Sequence, residues 1–317
     1  MQSLESAIHI VYKECLKVKR NESLLILSDG PKLQIASSFF QIALAYTEKT
    51  SLHILPKIQH AGFEPPQSVA TLMRQFDIII IMTSYSISHS QARRKACKKG
   101  VRIISLPNIQ EDSLRRAVNW PAKPMLDLSR KIADILNIGR NVRLTTRAGT
   151  DLTFSIAKMR GFSDTGLVHD PGRFSNLPAG EGCIAPVQGT AQGILVIDGS
   201  FPEIGLIESP IRISVKDGYA ARISGEAEAV KMRQLLKPFS KKGRNIAELG
   251  IGTNPNAKLT GCTLEDEKSL GTVHIAFGNN ISFDGKVDAK CHFDAILKNP
   301  TLVIDGKTIL EQGKMLV

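Results

Sequence analysis

The strongest chemical signal in the sequence is the pair His292 and Asp294, separated only by Phe293. The surrounding segment is predicted as a strand, and residues two apart on a strand point to the same face. The imidazole and the carboxylate therefore converge, and they offer one nitrogen and one oxygen ligand to a borderline metal ion. The alternative is an exposed strand that carries this pair by chance.

Three further residues, His274, Glu248 and Glu181, lie in segments that are apolar or rich in glycine. His274 belongs to the apolar run 272–277 and needs a polar partner if it is buried. Each has a structural alternative, since a lone histidine is often a hydrogen-bonded core residue and both glutamates could lie at the surface. Taken together, two imidazoles and three carboxylates suit Zn²⁺, Mn²⁺, Co²⁺ or Fe²⁺ and disfavour a structural zinc held by cysteines.

The composition indicates a folded protein of a reducing compartment. With 42% hydrophobic and 22% charged residues, the chain can bury a large core, which excludes global disorder. No run approaches the roughly 18 apolar residues of a membrane-spanning helix, and the amino terminus lacks the apolar core of a secretion signal. The five cysteines are scattered without a CxxC pair, which predicts a cytoplasmic protein without a disulfide framework.

The basic charge does not indicate a nucleic-acid partner. Lysine and arginine number 41 against 30 acidic residues, a formal net charge of +11. The densest basic runs, 93–99 and 241–244, contain no aromatic residue, and the chain has one tryptophan and four tyrosines. Stacking on single-stranded bases is therefore poorly provided for. We interpret these runs as solvated surface and predict neither a nucleic-acid nor a membrane partner.

The elements that must position these residues fall into two unlike halves. From residue 20 to about 140, apolar runs at 23–27, 51–55, 77–82 and 101–106 alternate with helical stretches, which predicts an open parallel α/β sheet. No GxGxxG follows any strand, so a dinucleotide site has no support. Ser88 is predicted to cap the helix 88–99.

After a bridging helix at 124–136, short β-like runs separated by glycine-rich turns replace this alternation, with one clear helix at 227–236. The predicted fold class is therefore α/β, with an N-terminal open parallel-sheet domain (1–140) followed by a mainly β metal-binding domain (141–317). All five candidate ligands lie in the second domain. His53, His60 and His89 are the competing ligands from the first.

Several segments resemble, in the same order, motifs of the aminopeptidase T/aminopeptidase S metallopeptidase family. They are NLPAGE (Asn176–Glu181), AELGIGTNP (Ala247–Pro255), EKSLGTVHIAFG (Glu267–Gly278) and CHFD (Cys291–Asp294), and the stretch Thr83–Pro107 also looks similar. The resemblance extends over most of the chain from about residue 20. It implies a two-metal site held by Glu181, Glu248, His274, His292 and Asp294, with Glu248 bridging the two ions.

The sequence also departs from the peptidases. They carry a tyrosine soon after the HIAxG motif, whereas 279–283 reads Asn-Asn-Ile-Ser-Phe, and they are longer. A shorter branch of the same fold includes 2,5-dihydroxypyridine 5,6-dioxygenase, which has one non-haem iron. This resemblance implies that His274, His292 and Asp294 could hold the iron. It also implies that His89 lies near the substrate, and the competing interpretation is that His89 is a residue in the first turn of a helix.

Three functions follow from these resemblances. The first is a metalloaminopeptidase-like hydrolase, in which two Zn, Co or Mn ions activate a water against a peptide or amide carbonyl. The alternative is a ring-cleaving dioxygenase with one Fe²⁺, and the third is an inactive metal-binding member, which the missing tyrosine supports. Glu248 and His89 are the candidate catalytic residues. The expected substrate is a small molecule or short peptide, and the resemblance implies a homodimer.

Overall fold

A computed structural model describes residues 2–58, 63–119 and 122–317, so His60 lies outside the described residues. The helices are α1 (Leu4–Ile10), α2 (Leu33–Ala43), α3 (Gln67–Leu72), α4 (Gln91–Lys98), α5 (Glu111–Ala117), α6 (Lys123–Ile138), α7 (Ala227–Leu236) and α8 (Thr263–Asp266). A π-helical turn at Val11–Cys15 extends α1, and short 3-10 turns occur at Gly30–Lys32, Met73–Gln75, Lys237–Phe239, Lys242–Arg244 and Ile281–Phe283.

The strands are numbered along the chain. They are β1 (Leu24–Asp29), β2 (Thr50–Leu55), β3 (Ile78–Met82), β4 (Arg102–Ser105), β5 (Asn141–Thr145), β6 (Asp151–Ser155), β7 (Gly161–Asp164), β8 (Phe174–Asn176), β9 (Glu181–Ile184), β10 (Gln192–Ile197), β11 (Ser200–Phe201), β12 (Gly205–Leu206), β13 (Ile211–Lys216), β14 (Tyr219–Ser224), β15 (Ile246–Gly252), β16 (Val273–Gly278), β17 (His292–Leu297), β18 (Thr301–Ile304), β19 (Lys307–Glu311) and β20 (Lys314–Met315).

The chain forms two compact units, and each is built from two segments. One unit comprises Met1–Lys123 with Thr165–Ala179, and the other comprises Pro124–Asp164 with Gly180–Val317. This division differs from the predicted break at residue 140 because most of α6 belongs with the second unit and the segment that contains β8 belongs with the first.

The first unit is an open α/β sheet, as predicted. Its five strands lie in the order β2-β1-β3-β4-β8, and all neighbouring pairs are parallel. The residues of β1, β3 and β4 are all buried, because helices cover both faces of such a sheet. The fifth strand, β8, returns from a later part of the chain and pairs with β4.

The predicted helix cap at Ser88 is wrong. Helix α4 begins after Ser90, whose hydroxyl accepts a hydrogen bond from the Arg93 amide at 3.2 Å. The buried Ser88 hydroxyl instead donates to the Ser105 hydroxyl at 2.9 Å. His89 therefore lies in the turn before α4 and not in the first turn of the helix.

The second unit is mainly antiparallel sheet. One sheet has eight strands in the order β14-β13-β10-β6-β5-β18-β19-β20, another has five in the order β17-β16-β15-β9-β7, and β11 pairs with β12. The predicted helix 227–236 matches α7, and β13 and β14 pair as an antiparallel hairpin. The five-stranded sheet contains all five candidate ligands. Across the described ranges, every helix is too short or too polar to span a membrane.

Candidate metal centre

The candidate ligands lie on one face of the five-stranded sheet. Residues directly opposed on neighbouring antiparallel strands share a face, and Asp294 opposes Ala276, which in turn opposes Glu248. In the next row His274 opposes Gly250. Large functional side chains thus alternate with small residues across the strands, and this alternation leaves space for the functional groups to converge.

The same pattern continues at both edges of this face. His292 opposes Gly278 on β16, and Glu181 opposes Gly252 on β15. Asp164, on the outermost strand β7, opposes Glu181. The glycines beside the candidate ligands are therefore part of the centre, because their missing side chains make room for it.

A β-bulge in β15 directs Glu248 to the ligand face. Ile246 pairs with Phe277, and Glu248 pairs with Ala276, so Ala247 is an extra residue between them. A one-residue shift of register reverses the face to which the following side chains point. Without this bulge, Glu248 would lie on the same face as Ile246, away from the two histidines.

A backbone carbonyl orients the imidazole of His292. Its Nδ1 donates to the Asn279 carbonyl oxygen at 2.7 Å, so in the neutral ring Nε2 carries the lone pair. Nε2 lies 3.0 Å from Glu248 Oε2 and 3.1 Å from Asp294 Oδ1. A lone pair that faces two carboxylates is stable only if a proton or a metal cation lies between them.

His274 faces three carboxylates. Its Nε2 lies 3.5 Å from Glu181 Oε2, 3.8 Å from Glu248 Oε1 and 4.0 Å from Asp294 Oδ1. Within the part of the chain that the structure describes, His274 Nδ1 and Glu181 Oε2 are buried and have no hydrogen-bond partner. Glu248 therefore lies between the two imidazoles, with one oxygen directed at each.

This donor set fits a divalent metal ion. The ligand residues form two groups of three, and within each group the ligand atoms lie within 4.8 Å of one another. One group is Glu181, Glu248 and His274, and the other is Glu248, His292 and Asp294, so Glu248 belongs to both. Nitrogen and carboxylate ligands of this kind bind iron, zinc, manganese or cobalt. The partnerless Glu181 oxygen and the fixed His292 ring are what a cation would satisfy.

Burial and charge act in opposite directions on the pKa values of these groups. Burial alone would lower the pKa of His274, but the carboxylates of Glu248, Glu181 and Asp294 raise it to about 9. The same balance raises the pKa of His292 well above its usual value. Burial alone would raise the pKa of Glu248, but the two histidines lower it to about 2. Without a metal ion, a protonated His274 therefore faces the ionised Glu248 carboxylate at neutral pH.

The stability of the metal-free protein should fall as the pH rises through about 9. The pKa of His274 is higher in the folded state, about 9 against an ordinary value of 6.5, so its stabilising charge is complete below 6.5 and is lost as the pH approaches and passes 9. The protonated His274 contributes roughly 3 kcal/mol to the free energy of unfolding. Urea denaturation of EDTA-treated protein between pH 6 and 10 measures it.

The matched variants for this measurement are His274→Gln and His53→Gln. The first should flatten the alkaline decline, and the second, on the half-buried strand β2, should leave it unchanged. An equal alkaline decline in wild type and His274→Gln would contradict the assignment.

Three charged residues of this region were missed by the sequence analysis. Lys268 is 1% exposed, and its Nζ lies 2.5 Å from Glu181 Oε1, 2.9 Å from Glu267 Oε1 and 3.4 Å from Asp164 Oδ2. Burial would lower the pKa of Lys268, but these carboxylates raise it well above its usual value. The sequence carried one signal for this cluster. Glu267 and Lys268 are adjacent in the motif 267–278, which also contains the candidate ligand His274.

Phe283 occupies the segment in which the peptidases carry their tyrosine. Its ring centroid lies 5.7 Å from that of His292 and 5.9 Å from that of Phe162. The side chain of Asn279 holds the same loop by donating to Asp288 Oδ1 and to the Ala289 carbonyl. An apolar ring therefore lies beside His292, and the segment 279–283 contains no tyrosine.

His89 belongs to the first unit. Its backbone carbonyl accepts a hydrogen bond from Arg94 Nη1 at 2.7 Å, and the preceding carbonyl, of Ser88, accepts one from Arg93 Nε at 2.5 Å. Two side chains of α4 thus fix the turn that carries His89. The catalytic role of His89 stays a prediction.

The fold and this centre describe a candidate metal-dependent enzyme, and the family follows from sequence comparison. Residues 12–317 match the NicX family, 2,5-dihydroxypyridine 5,6-dioxygenase, and the chain belongs to this family. The 2,5-dihydroxypyridine 5,6-dioxygenase of Pseudomonas putida is 24% identical over 250 residues, which are 74% of this chain and 70% of the relative.

Solved structures agree with the fold. The 2,5-dihydroxypyridine dioxygenase of Pseudomonas putida KT2440 superposes with a TM-score of 0.83 at 20% identity, over 99% of this chain and 97% of that one. Wild-type AmpT of Thermus thermophilus superposes with a TM-score of 0.68 at 16% identity, over 99% of both chains. The second likeness supports the predicted aminopeptidase T resemblance at the level of the fold alone.

These comparisons overturn the main functional prediction. The family and its Pseudomonas relative indicate a ring-cleaving dioxygenase, so the metalloaminopeptidase-like hydrolase predicted from the sequence is wrong. The hydrolase was predicted because the ligand motifs shared with the peptidases were given more weight than the missing tyrosine and the shorter chain. Those ligand types suit either chemistry, so the motifs alone could not separate a hydrolase from a dioxygenase.

Proposed function

We infer that this protein is a non-haem iron dioxygenase that opens the ring of a dihydroxylated nitrogen heteroaromatic of the 2,5-dihydroxypyridine type. The observation that carries the inference is the group of His274, His292 and Asp294 in a chain of this dioxygenase family, with Asp294 Oδ1 3.1 Å from His292 Nε2 and 4.0 Å from His274 Nε2. Two imidazoles and one carboxylate are the ligand set with which non-haem oxygenases hold ferrous iron and leave coordination positions open. When bound, the iron supplies a place for O₂ and the substrate to react side by side.

The residues of the centre have separate tasks. The Asn279 carbonyl fixes the ring of His292, so that Nε2 is the ligand atom. Glu248 stays ionised, because its pKa is lowered to about 2, and its two oxygens face the two imidazoles. We assign Glu248 to compensating the charge of the cation and orienting both rings.

One further residue is assigned to the substrate. Phe283 excludes water beside His292 and offers an apolar surface to a planar ring. The proposed substrate is therefore small, aromatic and hydroxylated, and short peptides are no longer expected.

The direct test is oxygen consumption by protein reconstituted anaerobically with Fe²⁺ and then mixed with 2,5-dihydroxypyridine and O₂. We expect one O₂ consumed per ring opened, seen as loss of the aromatic absorbance, and no release of amine from aminoacyl anilides in the presence of Zn²⁺ or Co²⁺. The matched control is Asp294→Asn treated identically. Absence of O₂ uptake with 2,5-dihydroxypyridine and with related dihydroxylated pyridines and benzenes would refute the proposal.

A further inference from the structure

A fixed ammonium group lies beside the metal centre. Three carboxylate oxygens, from Glu181, Glu267 and Asp164, lie 2.5, 2.9 and 3.4 Å from Lys268 Nζ. The ammonium group donates a hydrogen bond to Glu181 Oε1, and the other two carboxylates lie within ion-pair distance. The Lys268 backbone is also fixed, because its carbonyl accepts from the Asn254 amide at 2.8 Å. Lys268 is therefore a built part of the site and not a mobile surface charge.

Glu181 connects this ammonium group to the histidines. Its Oε1 contacts Lys268, and its Oε2 faces His274 Nε2 at 3.5 Å. A second divalent ion next to the first would have to use Glu181, since Glu181 belongs to the ligand group that does not contain His292. The ammonium group already holds one of the two oxygens of this carboxylate.

We propose that Lys268 is an internal cation that takes the place of a second metal ion beside Glu181, and that it thereby limits the centre to one divalent ion. The inference rests on the proposed function, which needs a single iron. Its physical basis is that carboxylates converging on one point bind whichever cation is present, and a covalently attached ammonium group is always present. Repulsion between the ammonium group and a nearby divalent ion further disfavours double occupancy.

The proposal assigns different tasks to the carboxylates. Asp294 and Glu248 lie at His292 and compensate the metal, whereas Glu181, Glu267 and Asp164 hold the ammonium group. Glu181 then serves a second metal ion only when Lys268 is removed. A chain with peptidase-like ligand motifs can therefore hold a single metal ion, because Lys268 takes the place of the second.

The test is metal stoichiometry, with Mn²⁺ alone as the probe. Metal-stripped protein is loaded with Mn²⁺, passed through a desalting column and analysed for manganese per chain, and its EPR spectrum distinguishes isolated from coupled ions. We expect one ion in wild type and two in Lys268→Ala, with a coupled spectrum and a melting temperature that rises with Mn²⁺ more steeply than in wild type. Lys258→Ala, the same change at an exposed lysine outside the centre, should still bind one.

Lys268→Ala leaves buried carboxylates without a cation, which costs stability. The double variant Lys268→Ala with Glu267→Gln removes one of these charges and replaces the single variant if that one does not fold. Two outcomes contradict the inference but leave the proposed function standing. One is a folded Lys268 variant that binds a single ion, and the other is a wild-type protein that binds two ions and still consumes O₂ with Fe²⁺. Wild type that binds no metal contradicts the proposed function itself.

Discussion

Replacing Asp294 with asparagine should abolish stable metal binding while leaving the fold intact. The amide keeps the shape of the side chain but removes the negative charge next to His292 Nε2, 3.1 Å away. Loss of an outer hydrogen-bond partner costs a metal site roughly 10–100-fold in affinity, so loss of a direct ligand should cost more than about 100-fold. His292→Gln should have a similar effect, because glutamine lacks the imidazole lone pair. Bound metal per chain and titration calorimetry measure both.

Phe293 provides the matched control for this experiment. It lies between the two ligands in sequence but points to the opposite face, where its ring packs against Phe201 and Phe239 at centroid distances of 5.8 and 5.9 Å. Phe293→Leu should therefore cost about 1 kcal/mol of stability and leave the metal in place. Normal metal content in Asp294→Asn would refute the metal centre described above.

Replacing Gly250 with alanine should weaken metal binding by roughly 10–100-fold, although no ligand is removed. A Cβ at this position would lie 2.1 Å from both Cε1 and Nε2 of His274. The adjacent strands hold the backbone of both residues, so the imidazole must move, and its nitrogen leaves the position that faces the carboxylates. Calorimetric titration of the stripped variant with Mn²⁺ measures the loss.

Gly30→Ala is the corresponding control. A Cβ at Gly30 has no other atom within 4 Å, so the same substitution should change neither metal affinity nor melting temperature appreciably. Wild-type affinity in Gly250→Ala would mean that His274 tolerates displacement and therefore contributes little to binding.

The sequence was most informative where a signal is local. Strand β3 is a continuous apolar run and α7 is rich in strong helix formers, and both lie close to where they were predicted. The candidate ligands were also visible, since histidine and carboxylate residues are conspicuous within apolar or glycine-rich segments. The structure brings all five together on one sheet face, as the geometry of β9, β15, β16 and β17 requires.

The missed features depend on pairing between distant segments. Glu181 meets Lys268 only because β9 pairs with β15, about seventy positions along the chain, and no local pattern gives that register. The bulge at Ala247 and the space above Gly250 are likewise properties of paired strands. The type of reaction was predicted wrongly for a different reason, because the same ligand types serve both hydrolysis and oxygenation.

The return of the chain to the first sheet has a consequence for biosynthesis. Strand β8 is separated from its neighbour β4 by α5, α6 and three strands of the other unit, so β4 has an open edge until residue 176 has left the ribosome. An unpaired edge of buried isoleucines is a site for aggregation. A fragment that ends at residue 140 would keep that edge permanently, and because both units are discontinuous, no single cleavage yields two complete halves.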